Sequence, residues 1–236
     1  MAPDPPASAA LASPPPPDEA VDVFGIALDT ARAFADILAT DGVTRGLIGP
    51  RETPRLWERH LVNCALVAEF VPDQGELVDI GSGAGLPGVV LAMLKPGLRV
   101  VLLEPLLRRS VFLEECVTRL GLANATVVRA RAEEMAGVIE ADVATARAVA
   151  PLGRLAGWAA GVLRPGGQIL AIKGQTAEEE LAAARPVLSR LGARKAEVLR
   201  VGHGRVISAT TVVRVVIGGH GREEQPGAHR SRRGVA

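Results

Sequence analysis

Residues 77 to 88 read Leu-Val-Asp-Ile-Gly-Ser-Gly-Ala-Gly-Leu-Pro-Gly, a run that suits little else than a strand-to-helix junction. Leu77, Val78 and Ile80 are apolar and β-prone around one acid, Asp79. Glycines then fall at every second position, 81, 83 and 85, before an apolar run opens at Leu86. Strand, tight turn and helix start are predicted in that order. Glycine permits positive φ and lets a ligand approach the backbone closely, and the free N–H groups of a new helix favour an electron-rich group. The remaining sequence has to say which ligand.

From Leu77 onward, strand and helix patterns alternate. Strands are predicted at 77–80, 98–103, 125–129, 141–146, 167–172, 195–201 and 210–217. Helices are predicted at 87–95, 105–120 with Gly121 at its C-terminal end, 151–163 and 176–191, with a short turn near 132–138. Such alternation implies an α/β fold: a doubly wound, mostly parallel, seven-stranded Rossmann-like sheet with helices on both faces. Only Gly-His-Gly-Arg-Val-Ile-Ser separates the last two strands, so these should pair as an antiparallel hairpin at one side of the sheet.

The 236 residues suit one domain with tails. Residues 1–19 are rich in Pro, Ala and Ser and are expected to be a disordered tail, because they bury too little apolar surface to offset their ordering entropy. Residues 20–75 read as an N-terminal helical extension and 76–218 as the α/β domain. Residues 219–236 read as a basic disordered tail in which Arg230, Arg232 and Arg233 form a solvated charge run. Within the extension, Val23, Phe24, Ala27, Leu28, Ala31, Phe34, Ala35 and Leu38 repeat at helical spacing, predicting one amphipathic helix from Val21 to about Thr40. A second helix is expected with Thr53 as N-cap and Pro54 at its first position. On it, Leu56, Val62, Leu66 and Val67 form an apolar stripe, while Arg51, Arg55, Arg59, His60 and Asn63 gather toward another side.

Composition narrows the function classes. The formal net charge of +1 means that any nucleic-acid surface must be a local patch. Lys95, Lys173 and Lys195 are the lysines; arginine carries the remaining positive charge, as a genome-wide codon bias would also produce. Cys64 and Cys116 lack metal-ligand spacing and read as core thiols of a reducing compartment. The N-terminus has no signal-peptide pattern, and no stretch approaches the ~20 apolar residues that span a bilayer, so a cytoplasmic location is expected.

Two ligands compete for the glycine turn. Gly83 to Gly88 formally satisfies the dinucleotide pattern GxGxxG, but it starts two residues late after the strand, Pro87 intrudes, and Asp79 stands where dinucleotide folds keep an apolar residue. An acid there suits a cationic, amino-acid-like ligand, and Asp-Ile-Gly-Ser-Gly-Ala-Gly resembles the first motif of class I S-adenosylmethionine-dependent methyltransferases. Glu104, ending the second strand, can accept ribose hydroxyls, and Ala132-Glu133 follows the third strand where the adenine edge would lie. Asp79, Gly81, Gly83, Gly85, Glu104, Ala132 and Glu133 are therefore the expected cofactor residues.

The fourth strand ends in Thr-Ala-Arg-Ala-Val-Ala-Pro, 145–151, where amine-methylating enzymes carry an Asp/Asn-Pro-Pro-aromatic motif. Arg147 would instead place a guanidinium beside the transferred methyl group. Guanine N7 fits such a site: its lone pair is free of a proton, so in-line displacement on the sulfonium methyl needs no general base.

Taken in order, GLIGPRE (46–52), LWERHLxN (56–63), DIGSGAGLPG (79–88), EPLxRRxxFL (104–113), RAEE (131–134), TARAVAPL (145–152) and LAIKG (170–174) resemble the glucose-inhibited division protein B family, also called RsmG. These are bacterial 16S ribosomal RNA guanine-N7 methyltransferases, and the likeness spans about residues 20–217. It implies methyl transfer from S-adenosyl-L-methionine to a guanine N7 in the 530 loop of 16S ribosomal RNA, with the naked RNA or the small ribosomal subunit as partner. It also implies cofactor contacts at Gly81, Leu86, Ala132, Glu133 and Arg147, the last also facing the substrate. Arg51, Arg55, Arg59, His60 and Lys173 are the candidates for RNA contacts. Plainer roles compete: a salt-bridged helix face for Arg59 and His60, a strand-end lysine for Lys173, and a core anchor for Trp57. A methyltransferase of a small molecule or protein, and a non-catalytic cofactor sensor, remain as alternatives. No apolar helix is left without a partner, so a monomer is expected.

Overall fold

The computed structural model describes residues 13–202, 206 and 209–218. The expected tails at 1–12 and 219–236, including Arg230, Arg232 and Arg233, lie outside the described residues. Seven strands form one sheet: β1 (Gly75–Ile80), β2 (Leu98–Leu103), β3 (Ala125–Val128), β4 (Ala141–Arg147), β5 (Leu163–Lys173), β6 (Ala193–Val201) and β7 (Thr210–Ile217), in the order β3-β2-β1-β4-β5-β7-β6. β1 to β5 pair in parallel, and β7 runs antiparallel to both β5 and β6. The expected hairpin is present, but its second strand inserts between β5 and β6 rather than extending the sheet beyond β6.

Successive side chains of a strand point to opposite faces, and the core divides accordingly. Leu77 packs with Leu98, Leu102 and Phe112 under α4 (Gly88–Leu94) and α5 (Leu107–Arg119). Val78 and Ile80 pack with Leu155, Ala159 and Leu181 of α6 (Leu152–Val162) and α7 (Ala177–Arg190). Strand order reverses at β1, whose neighbours are β2 and β4, so the loops after these strands diverge and leave a crevice at their C-terminal ends.

The N-terminal extension shares the α4/α5 core: Phe34, Leu38, Leu56 and Leu61 join the cluster that holds Leu77 and Leu102. The predicted single helix is broken. α1 (Asp18–Phe24) ends at Gly25, whose φ of 49° leaves the helical region, and α2 (Leu28–Ile37) continues in a wide π turn, Leu38–Gly42. Residues 13–17, expected within the tail, are anchored. Ser13 Oγ donates to Asp36 Oδ1 at 2.6 Å, and Trp57 Nε1 donates to the Pro14 carbonyl at 2.7 Å. Trp57 is 2% exposed and meets Phe24 edge-to-face with ring centroids 6.0 Å apart, the core-anchor role.

The second predicted helix also differs. It starts with a tight 3₁₀ turn at Pro50–Arg55 after Gly49, because Pro50 and not Pro54 presets the first φ; Thr53 makes no cap hydrogen bond. Wide π turns over Leu56–Val62, the single turn α3 (Asn63–Ala65) and a tight turn Leu66–Phe70 follow. Two ion pairs connect the extension to α5: Arg45 Nη2 to Glu115 Oε2 and Arg119 Nη1 to Asp41 Oδ2, both 2.5 Å. The Arg45 guanidinium also lies 5.6 Å over the Phe112 ring. Cys64 and Cys116 are buried free thiols. Among the described residues, no helix is long and apolar enough to cross a membrane.

Candidate active site

The glycine turn between β1 and α4 is organised from beneath by Asp79. Its carboxylate, 1% exposed, accepts the Gly88 N–H at Oδ2 (3.0 Å) and the Thr145 hydroxyl at Oδ1 (3.1 Å). Burial outweighs these hydrogen bonds and pushes its pKa up to about 6, with the Glu104 charge adding to the rise. Gly88 must lack a side chain, since a Cβ there would lie 2.4 Å from Leu102 Cδ2 and 2.6 Å from Asp79 Oδ2. Asp79 therefore fastens the start of α4 to the sheet. Expected to face the cationic end of a cofactor, it does not line the crevice at all.

Above the turn lies a cleft of about 430 Å³, within the range of small-molecule sites. It is lined by Gly81 and Gly83 (φ 69° and 55°), Glu104, Ala132, Glu133 and Arg147, all expected from the sequence. Gly85 and Leu86 are not among its lining residues. A Cβ on Gly85 would come within 2.6 Å of Val89, and Leu86 is a core residue. Glu104 is 2% exposed, and its two oxygens accept the N–H groups of Gly83 and Leu106, each at 3.0 Å, tying together the loops after β1 and β2.

The lining residues not singled out from the sequence include Leu47, Leu106, Arg109 and Trp158. Arg109 lies inside the EPLxRR motif and Leu47 inside GLIGPRE, so both could have been read from those segments. The Arg109 Nε is buried without a hydrogen-bond partner, and its Nη1 stands 3.9 Å from Glu104 Oε2. A ligand acceptor would satisfy that donor. A buried acid for hydroxyls, glycine backbone on the floor and apolar Ala130, Ala132 and Trp158 together fit a nucleoside-bearing ligand such as S-adenosylmethionine.

Arg147, Ala148 and Val149 line this cleft and also a second, more open one of about 740 Å³. Ala148 has φ 54°, the positive value among described non-glycine residues, and so turns the chain sharply between the two. The far side of the second cleft carries Arg59, Asn63, Lys173, Glu180 and Thr210. Lys173 is committed internally: Nζ donates to the Ala150 carbonyl (2.8 Å) and to Glu180 Oε2 (2.7 Å), and the side chain is 9% exposed. Glu180 Oε2 also accepts the Leu152 N–H at 3.2 Å, so the pair clamps the loop after β4.

The expected basic cluster splits. Arg51 and Arg55 are exposed and line neither cleft, whereas Arg59 lines the second and stands 3.4 Å from Glu52. His60 turns inward. Its Nδ1 lies 2.6 Å from Arg147 Nη2 and its Nε2 lies 3.0 Å from Glu52 Oε2. Burial and the Arg147 charge lower its pKa to about 4 against the opposing pull of Glu52. Arg147 Nη1 donates to Cys64 Sγ at 3.5 Å.

Among solved structures, the fold is similar to an S-adenosylmethionine-dependent O-methyltransferase from Thermotoga maritima (TM-score 0.53, 16% identity, 66% of this chain and 65% of that one). It is also similar to an S-adenosylmethionine-dependent methyltransferase from Aquifex aeolicus (TM-score 0.54, 18% identity, 73% and 98%). At that identity the likeness concerns the fold alone. In sequence, the chain is 58% identical over 202 residues to ribosomal RNA small subunit methyltransferase G of Thermobifida fusca, covering 86% of this chain and 85% of the relative. It is 55% identical over 224 residues to the protein of that name from Streptomyces coelicolor, covering 94% and 92%. Residues 27–207 match the family described as GidB, rRNA small subunit methyltransferase G, so the chain belongs to the family that its ordered motifs resemble.

Proposed function

We propose that the protein transfers a methyl group from S-adenosylmethionine to N7 of a guanine in the 530 loop of 16S ribosomal RNA. Bound in the first cleft, S-adenosylmethionine would supply an electrophilic methyl group. Glu104 would accept its hydroxyls, Arg109 would donate to it, and Gly81 and Gly83 would let it lie against the backbone. The acceptor base would enter the second cleft and meet the methyl group beside the Arg147-Ala148-Val149 wall.

One observation carries this reading. Among the described residues of the second cleft the sole carboxylate is Glu180, and it is engaged by Lys173 and the Leu152 N–H. Such a cleft offers no free base, which suits a nucleophile that already holds an unprotonated lone pair. Exposed Arg59 on the second cleft, with exposed Arg51 and Arg55 on the preceding turn, supports RNA as the carrier of that base, with phosphate contacts giving affinity and register.

The test is to incubate the protein with S-adenosylmethionine and small subunits, or their RNA, that lack the modification, and then to map N7-methylguanine by borohydride/aniline strand scission. A new scission in the 530 loop is expected. Label transfer to metabolites or proteins with no scission in ribosomal RNA would overturn the proposal.

A further inference from the structure

His60, which the sequence offered as an RNA contact, lines neither cleft but touches Arg147, which lines both. Both of its ring nitrogens are engaged inside the protein. Arginine has only donors, so the 2.6 Å contact with Arg147 Nη2 requires Nδ1 to accept. Nε2 then carries the proton and donates to Glu52 Oε2 at 3.0 Å. We propose that His60 is a positioning residue: held in the Nε2–H form by Glu52, it fixes the Arg147 guanidinium on the wall shared by the two clefts. The inference rests on the reading of those clefts as donor and acceptor sites.

The surroundings keep the imidazole neutral. The charged groups that face it are Arg147 from the end of β4 and, from its own segment, Glu52 and Arg59; Cys64 touches Arg147 from the other side. A protonated imidazole would turn an N–H toward the guanidinium and break the contact. Two cations then separate, and Arg147 is free to leave the wall. At this site a neutral histidine is the functional form, opposite to a phosphate contact, where the imidazolium is favoured.

The experiment compares wild type with His60→Phe and His60→Asn in methyl transfer to small subunits, together with the imidazole ¹⁵N spectrum of His60. Phe keeps ring shape and removes the acceptor; Asn returns an acceptor near the Nδ1 position. Expected for Phe is a fall in kcat on the order of 10²-fold, the scale of a small misplacement of a site group, with the KM for RNA within about three-fold of wild type. Asn should recover most of the loss. The spectrum should show the neutral Nε2–H form at pH 6, with no titration near the ordinary value of 6.5. A raised KM with unchanged kcat would make His60 an RNA contact and overturn the inference, as would an Nδ1–H form. Should His60→Phe fail to fold, His60→Asn and the spectrum still decide. If wild type methylates no ribosomal RNA, the functional reading fails, and the spectrum alone judges the tautomer.

Discussion

The Gly88 N–H points at Asp79 Oδ2 across 3.0 Å, and the missing side chain of Gly88 is what allows that approach. The acid in the first strand thus serves the junction between strand and helix.

Asp79→Asn should leave cofactor affinity nearly unchanged, because the amide oxygen can still accept from Gly88. Asp79→Leu strands the Gly88 N–H and the Thr145 hydroxyl and should destabilise by about 1–3 kcal/mol for each. Raised from 3.8 to about 6, this acid contributes most stability below pH 3.8 and loses it as pH rises to about 6. Urea unfolding between pH 4 and 7 should show a shallower loss in Asp79→Asn than in wild type. Equal slopes would mean that the carboxylate titrates normally.

Gly83 and Gly88 should separate ligand effects from packing effects. A Cβ on Gly83 meets nothing nearer than the Gly81 carbonyl at 3.7 Å, so Gly83→Val fills cleft space and strains a φ of 55°. Calorimetric titration with S-adenosylhomocysteine should show affinity lowered more than about ten-fold. Gly88→Ala instead overpacks against Leu102, at about 1–3 kcal/mol, and should lower Tm by several degrees.

The salt dependence of RNA binding distinguishes surface arginines from the internal lysine. Arg51→Ala and Arg55→Ala should each reduce the slope of log K against log salt by up to about one. Lys173→Ala should leave that slope alone and lower thermal stability, since it releases Ala150 and Glu180. A change of slope in the lysine variant would restore it as an RNA contact.

Arg109→Met keeps the apolar stem and removes the orphaned donor. Cofactor affinity should fall by about ten-fold, the scale of one hydrogen bond to a charged group, with Tm little changed. Unchanged affinity would place the ligand away from Arg109.

The parallel strand 98–103 was legible because a strand buried on both faces reads as a near-continuous apolar run, and the antiparallel strand 210–217 also falls where the sequence puts it. The insertion of β7 between β5 and β6 was not, since a hairpin pattern fixes the pairing of its own strands and says nothing of the third. Residues 50–70 misled because wide and tight turns do not keep the 3.6-residue spacing on which helix reading depends. Gly81, Gly83, Glu104, Ala132, Glu133 and Arg147 were legible as lining residues through their positions at strand ends. The internal contacts of Asp79 and His60 were not legible, because their partners stand far along the chain: Thr145 lies 66 residues from Asp79 and Arg147 lies 87 from His60.

The two pairs joining the extension to α5 tie together two segments that line the first cleft. Leu47 follows Arg45, and Leu106 and Arg109 precede or belong to α5, so the Arg45–Glu115 and Arg119–Asp41 links join the two lining segments to each other. Both links are partly exposed, where dissolved ions weaken them. Ligand entry should accordingly quicken as ionic strength rises, even for a ligand with little net charge of its own. Stopped-flow association rates that stay constant from low to high salt would show that the ligand enters without breaking these links.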